Sequence, residues 1–301
     1  MCEYIYNTDD TVFQHLYRLS TENRWLETQL SFNNDCKALR KLDDNTKEYY
    51  RFIFCFLSMS ENLINMNIWH LLENINHMDI QHYYIEQSSI ETVHARTYRM
   101  ILDLLYENDM KALSDGLARY KEDSALLQKI LYLKSALKDC DTIGKKIIIL
   151  IVLEGIFFIS SFMSISVLRA WGFDGITEAN TYICRDERVH TNAAIALFLY
   201  HVPDTHKPSE YYIYKVFQDV VDMEKKFIEA KIAYVTIVNK KTLFDGIEAT
   251  ADMLLKQIGL KPLFNASFPS DCPLEYSFPD KNVCFFEKQN TEYCTNLQND
   301  L

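Results

Sequence analysis

Two short stretches of the chain pair a glutamate with a histidine three positions later. Glu91 and His94 lie in IETVHARTY, and Glu187 and His190 lie in RDERVH. On a helix, positions i and i+3 share one face, so each pair can direct a carboxylate and an imidazole at the same point. A single Glu-x-x-His motif is more often a solvated pair than a metal site, but two copies are typical of a dimetal centre.

Two further acids complete the donor set. Glu61 lies thirty residues before Glu91, and Glu154 lies thirty-three before Glu187, each in a strongly apolar stretch. At a rise of about 1.5 Å per residue, about two dozen helical residues plus a loop return an antiparallel chain to the same level. The spacing therefore predicts that four acids and two imidazoles meet at one depth of a four-helix bundle.

The donor types indicate which metal would bind. Oxygen-rich ligation with one histidine per metal suits iron or manganese better than zinc, whose structural sites prefer thiolates. Glu61 and Glu154 would also be costly to bury without a partner, which is an independent argument for a cation between them.

The composition predicts an all-α body for these motifs. The 301 residues are 48% hydrophobic and 24% charged, with only seven glycines, and all six prolines follow residue 202. Few turn-forming residues are then left for sheets. We predict a helical domain over 1–260 and an irregular tail over 261–301. Apolar periodicity predicts helices at 44–70, 80–106, 176–201, 209–236 and 241–258, with two surface helices around Gly116 within 108–139.

The segment Ile147–Leu168 is long and apolar enough to cross a membrane, and its one charge is Glu154. A hydropathy criterion would predict a membrane span here. We favour a buried core helix, since a core gives the acid protein partners. Phe158 and Phe162 follow at i+4 and i+8, so they are predicted to share its face, either as plain core or as a wall between the metal site and water.

Charge and cysteine usage restrict the partners and the compartment. A net charge of −11 and a pI near 5.2 argue against nucleic acid or an anionic membrane surface as partner. The eight cysteines form no C-x-x-C pair, which indicates a reducing, intracellular compartment. The chain has neither G-x-x-x-x-G-K-[ST] nor G-x-G-x-x-G, so a nucleotide substrate would have to react on a partner chain.

Several motifs together resemble a known family. IETVHARTY, VLEGIFFISSF, ICRDERVHT and the terminal NDL resemble the small (beta) subunit of class I ribonucleotide reductase. NRWLET, FLSMSENL and FFEKQNTEY narrow the similarity to the herpesvirus type, and within it to gammaherpesviruses. The resemblance covers about residues 20–301. It implies a ferritin-like bundle in which a carboxylate-bridged dimetal site and oxygen generate a tyrosyl radical, which passes to the large subunit for reduction of ribonucleotides to deoxyribonucleotides.

The family's functional residues can be carried over position by position. Tyr98, four residues after His94, matches the radical tyrosine. Trp25 and Asp186 match the electron path, in which the acid hydrogen-bonds a metal histidine, and Tyr293 matches the tail tyrosine that exports the radical. The pocket that shelters the radical matches Phe158, Phe162 and Ile183. The ligands of two iron ions, with a manganese–iron pair as the other option, match Glu61, Glu91, His94, Glu154, Glu187 and His190.

Two departures from the family pattern qualify this assignment. The first ligand is an aspartate in most of the family and is Glu61 here, and one extra methylene changes how the carboxylate can chelate. The tail after Tyr293 has only eight residues, which implies a short docking peptide for the large subunit. The resemblance also implies a homodimer, and we expect a soluble protein of the host-cell cytoplasm.

Two other functions fit part of the pattern. Another ferritin-like di-iron oxygenase or desaturase would share the ligands, but not Tyr98, Trp25, Asp186 and the tyrosine-bearing tail as a set. A metal-storing or structural bundle without the radical would keep the fold, yet it would have no use for a terminal tyrosine.

Overall fold

The computed structural model describes residues 5–6, 9–73, 75–136 and 138–274. These residues form α-helices joined by short turns, with no strand among them, as the composition predicts. The helices are α1 (Thr11–Glu22), α2 (Asn33–Leu39), α3 (Asp44–Leu72), α4 (Met78–Leu105), α5 (Met110–Tyr120), α6 (Ser124–Ser135), α7 (Ile143–Gly155), α8 (Ile159–Val167), α9 (Asp174–Ala196), α10 (Glu210–Ile232) and α11 (Lys240–Gln257).

The two longest helices, α3 and α4, form the first half of the bundle. Asp43 starts α3 as its N-cap, where its carboxylate accepts hydrogen bonds from the backbone N–H and the hydroxyl of Thr46 at 2.9 and 2.7 Å. The two helices pack along their length, and the short connection between them makes them antiparallel neighbours. Glu61 and Glu91 are therefore carried on facing helices at similar depth.

The second half of the bundle contains α7 to α11. Helix α7 packs on α9 and also contacts α10 and α11, while α8 contacts α9 and α11. The helical stretch 143–171, which is apolar enough to span a membrane, is covered by protein throughout its most apolar window. Burial inside the bundle, as predicted, gives Glu154 protein neighbours in place of lipid.

The predicted single helix over 147–168 is wrong, because it is interrupted between α7 and α8. The N–H groups of Ile156 and Phe157 both donate to the carbonyl of Val152, at 3.0 and 3.1 Å, so the regular ladder is lost there. Gly155 is the last residue of α7, and only glycine fits there without a shift of its neighbours, because a β-carbon would collide with Leu254 and press on Thr191. The i+4 and i+8 spacing from Glu154 therefore does not by itself determine which way Phe158 and Phe162 point.

The prediction of two surface helices around Gly116 is correct in number and wrong in position. Gly116 lies inside α5, and the break falls at Lys121–Asp123, where Asp123 caps α6. A β-carbon at Gly116 would collide with the Tyr106 hydroxyl, so the glycine permits close packing and is not a turn. Helices α1 and α2 were not predicted from the sequence.

The described part of the predicted tail, 261–274, has no α-helix or strand and lies against α11. Asp252 accepts three backbone hydrogen bonds from Leu263, Phe264 and Ala266, at 2.6, 2.9 and 2.8 Å. Leu274 is buried at the end of this segment. A domain boundary near residue 260 remains a prediction.

Candidate metal centre

Four helices bring the six predicted ligands together in the core. Within the described residues, two overlapping groups of side chains have donor atoms within 4.8 Å of one another: Glu61, Glu91, His94 and Glu187 form the first, and Glu91, Glu154, Glu187 and His190 form the second. All six are buried. Because Glu91 and Glu187 belong to both groups, they can bridge two neighbouring cations.

The two histidines face the shared carboxylates. Nδ1 of His94 lies 2.9 Å from Glu91 and 3.2 Å from Glu187. Nδ1 of His190 lies 3.0 Å from Glu91, 3.5 Å from Glu187 and 3.9 Å from Glu154. Each imidazole thus directs one ring nitrogen into the space between the acids.

The donor atoms converge without satisfying one another, which is the observation that fits a metal pair. No hydrogen bond within the described residues is made by Glu91 Oε2, His94 Nδ1, Glu154 Oε2, either carboxylate oxygen of Glu187, or His190 Nδ1. Buried polar atoms are almost always hydrogen-bonded, because desolvation without a partner is costly. Two cations among these lone pairs would satisfy them together.

The electrostatics of the cluster without metal show how strongly it needs positive charge. Burial, and then repulsion from Glu91 and Glu187, raises the pKa of Glu61 well above its usual value, and burial with repulsion from the same two acids does so for Glu154. Burial alone would raise the pKa of Glu91, but the two imidazoles lower it below its ordinary range. Burial would lower the pKa of both histidines, yet their carboxylate neighbours raise it. The cluster therefore favours positive charge at its centre, which a metal pair would supply.

Gln87 supports the cluster and was missed from the sequence. Its amide nitrogen donates to Glu154 at 2.9 Å and lies 3.4 Å from Glu91. It precedes Glu91 by four residues on α4, so helical spacing already indicated that the two share a face. The contact holds Glu154, which comes from another helix, in a fixed orientation.

A hydrogen-bonded chain leads from the cluster towards the surface. Nε2 of His94 lies 3.2 Å from Asp186 Oδ2, and Trp25 Nε1 donates to the same oxygen at 2.8 Å. The indole also stacks on the His94 ring at 6.0 Å. With Nε2 facing a carboxylate, the imidazole keeps its proton on that side and the Nδ1 lone pair is free for metal. The structure therefore brings Trp25, Asp186 and His94 together through one carboxylate oxygen.

Tyr98 lies one turn after His94 and is 2% exposed. Its hydroxyl makes no hydrogen bond in the part of the chain that the structure describes. Burial, and then the negative charge of Glu61, raises its pKa well above that of free tyrosine, so the phenol stays protonated. Phe54, which the sequence analysis did not select, has its ring centroid 6.0 Å from that of Tyr98.

The three residues predicted to shelter the radical are all buried in this core. Ile183 has no exposed surface, and the Phe158 ring lies 6.2 Å from Phe162 and 5.7 Å from Phe56. Tyr293 and the terminal docking residues lie outside the described residues.

The chain is similar to proteins of one family over almost its whole length. Residues 3–273 match the family described as ribonucleotide reductase, small chain. The ribonucleoside-diphosphate reductase small subunit of Saimiriine herpesvirus 2 is 38% identical over 300 residues, which cover 99% of this chain and 98% of that protein. The corresponding subunit of human herpesvirus 8 is 39% identical over 299 residues, with the same coverage.

A solved structure supports the fold. The chain is similar to the ribonucleotide reductase Rnr4 homodimer of Saccharomyces cerevisiae, with a TM-score of 0.80 at 20% identity, covering 96% of this chain and 88% of that one. The ferritin-like class predicted from the sequence is thus confirmed.

Proposed function

The chain belongs to the ribonucleotide reductase small-chain family, in its herpesvirus branch, and is a ribonucleoside-diphosphate reductase small subunit; from this premise we propose how its own residues perform the subunit's task. Glu61, Glu91, His94, Glu154, Glu187 and His190 hold two iron ions. The observation that carries this assignment is the convergence of buried donor atoms without hydrogen bonds. Their oxygen-rich set, with one imidazole per metal, also suits a manganese–iron pair.

With dioxygen, the bound metal pair supplies the oxidising equivalent that converts a tyrosine to its radical. Tyr98 is the residue oxidised, since it lies one turn from His94 in a dry environment. Because burial keeps its phenol protonated, Tyr98 must release a proton together with the electron. The aromatic and aliphatic side chains of the core exclude water and reductants from the radical.

The path for radical export starts at the chain of Trp25, Asp186 and His94. Asp186 holds the indole N–H and the imidazole on one carboxylate oxygen, which keeps the two rings stacked. Tyr293 receives the oxidising equivalent and passes it to the large subunit, where the ribonucleotide is reduced. The apolar Leu297 and Leu301 supply the docking contact that offsets the loss of chain entropy.

The assembly is a homodimer of this chain with the large subunit, in the cytoplasm of the host cell. The buried apolar segment supports a soluble protein, and the acidic net charge disfavours nucleic acid.

Electron paramagnetic resonance after addition of ferrous iron and oxygen tests this proposal. Tyr98→Phe should abolish the tyrosyl signal with about two irons per chain still bound, since the phenol is not among the ligands. Tyr293→Phe should keep the signal and stop nucleotide reduction with the large subunit.

Tyr83→Phe is the matched control for the radical site. Tyr83 lies on the same helix, is fully buried, and its hydroxyl also has no hydrogen bond among the described residues. The control should retain the signal. A tyrosyl signal that survives Tyr98→Phe and disappears in Tyr83→Phe would show that Tyr83, and not Tyr98, carries the radical.

A further inference from the structure

The interruption between α7 and α8 lies one turn after Glu154 and contains Phe158. A helix broken inside a protein core leaves backbone N–H and C=O groups that water cannot reach. Ile156 and Phe157 share one carbonyl acceptor, and the Phe158 carbonyl is paired with the Phe162 amide. The Phe157 carbonyl and the Ser160 amide have no backbone partner among the described residues, so they need partners from elsewhere.

A buried ion pair from two other helices supplies these partners. Lys129 of α6 donates from Nζ to the carbonyl of Phe157 at 2.7 Å. Glu224 of α10 accepts the backbone N–H of Ser160 at 3.2 Å and also the Ser160 hydroxyl. Lys129 and Glu224 are hydrogen-bonded to each other, and neither has exposed surface.

The lysine is enclosed by aromatic rings. Its Nζ lies 3.8 Å from the ring centroid of Phe56, 4.2 Å from that of Phe227 and 4.5 Å from that of Phe157. Burial lowers the pKa of Lys129 to about 8, with Glu224 opposing the shift. An ammonium beside a carboxylate and three ring faces is thus retained at neutral pH.

We propose that Lys129 and Glu224 are positioning residues for the metal centre: they fix the helix break so that Glu154 before it, Phe158 within it and Phe162 after it keep their mutual orientation. This inference rests on the proposed function. Neither residue belongs to the metal-ligand groups. The pair acts through the backbone at Phe157 and Ser160, because the path of the chain between α7 and α8 determines where the two phenylalanines lie relative to Glu154.

The energetics favour a positioning role over simple stabilisation. A buried ion pair contributes little net stability compared with apolar side chains of similar volume, because desolvation offsets the attraction. What an apolar pair cannot reproduce is the set of bonds to the Phe157 carbonyl and the Ser160 amide. Replacing both residues together should therefore leave a folded protein in which the backbone between α7 and α8 is less rigid.

The test uses the double variant Lys129→Met/Glu224→Leu in the full-length protein. In the metal-free form, amide hydrogen exchange of peptides covering 156–160 should accelerate by about tenfold, as expected when a buried backbone bond is lost, while peptides from α3 and α9 stay unchanged. After iron and oxygen are added, the variant should bind as much iron as the wild type, but its tyrosyl signal should decay several-fold faster.

The matched control is Lys225→Met/Glu248→Leu, which removes a partly exposed ion pair between α10 and α11. It should match the wild type in exchange over 156–160 and in radical lifetime. If the first double variant does not fold, Glu224→Gln keeps an oxygen for the Ser160 amide but removes the charge that holds Lys129 at the Phe157 carbonyl. It should therefore speed exchange over 156–160 and radical decay by a smaller factor.

Two results would overturn the inference. Wild-type exchange at the break in the double variant would mean that the pair does not fix it. Faster exchange with an unchanged radical lifetime would mean that the break does not position the site. If the wild-type chain bound no metal, the proposed function would fail instead, and the exchange of the metal-free protein would still report on the break.

Discussion

The core of this protein contains two buried groups of charges that differ in how completely their atoms are satisfied. In the carboxylate–histidine cluster, donor atoms crowd together and several make no hydrogen bond among the described residues. In the Lys129–Glu224 pair, the ammonium and the carboxylate bond to each other and to the backbone. The first arrangement is incomplete without cations, whereas the second is complete as it stands. Burial alone therefore does not identify a functional site; unsatisfied convergence does.

The largest expected effect comes from removing a carboxylate that both halves of the cluster share. Glu187→Ala should lower iron binding by at least about tenfold, since loss of a ligand costs no less than loss of a supporting contact. Metal analysis after reconstitution and desalting would measure it.

Glu178→Ala serves as the control, because Glu178 is an exposed acid on the same helix. It should bind metal normally. If Glu187→Ala bound as much iron as the wild type, Glu187 would not be a metal ligand. The cluster would then not differ from the ion pair in needing cations.

The ion pair should respond in the opposite way. Lys129→Met leaves the Glu224 carboxylate buried without its counter-charge and should destabilise the metal-free protein by about 3–5 kcal/mol, whereas the double variant Lys129→Met/Glu224→Leu should recover most of that loss. Urea unfolding of the two singles and the double measures the coupling. Additive losses would mean that the two charges do not depend on each other, and the pair would then not be a self-contained unit.

The exposed acid that caps the start of α3, Asp43, gives the smallest expected effect and is a reference for both buried groups. Hydrogen bonds from the Thr46 hydroxyl and N–H lower the pKa of Asp43, so its folded-state value lies below its unfolded one. Its stabilisation is therefore fully present above about pH 4 and is lost as the pH falls through the folded pKa.

Asp43→Ala should cost about 1 kcal/mol near neutral pH, as for other N-caps. The difference in unfolding free energy from the wild type should shrink below about pH 4. Asp115→Ala, on an exposed face of α5, should change stability little at either pH. A pH-independent difference for Asp43→Ala would mean that the cap does not act through its carboxylate.

Local spacing explains why the cluster was predictable and the ion pair was not. Glu91 and His94, like Glu187 and His190, are neighbours on one helix face, so the chemistry can be inferred from a few consecutive residues. Lys129 and Glu224 lie on helices far from the break in sequence, and their partners are backbone atoms, which have no residue type. The uniformly apolar run around Glu154 likewise carries no local sign of a break that tertiary contacts stabilise.

Three other residues show the same difference between contacts within one helix and contacts between separate segments. Gly116 looks like a turn in the sequence, but its role is to make room for Tyr106, a contact between separate segments. Gln87 was within reach of the helical-spacing argument, since it shares a face with Glu91. Phe54 was not, because only the fold brings it beside Tyr98.

The apolar stretch 143–171 also has a consequence for how the chain is made. Its covering surfaces come largely from α9, α10 and α11, which follow it in sequence and end at Gln257. At about 5–20 residues per second, synthesis of the roughly ninety intervening residues takes on the order of 4–20 s. During that interval α3 can contact part of the apolar segment, as Tyr50 does at Ser164, but the helices that cover most of it have not yet been made. The segment is therefore a place where the unfinished chain is prone to aggregate until the last helices emerge from the ribosome.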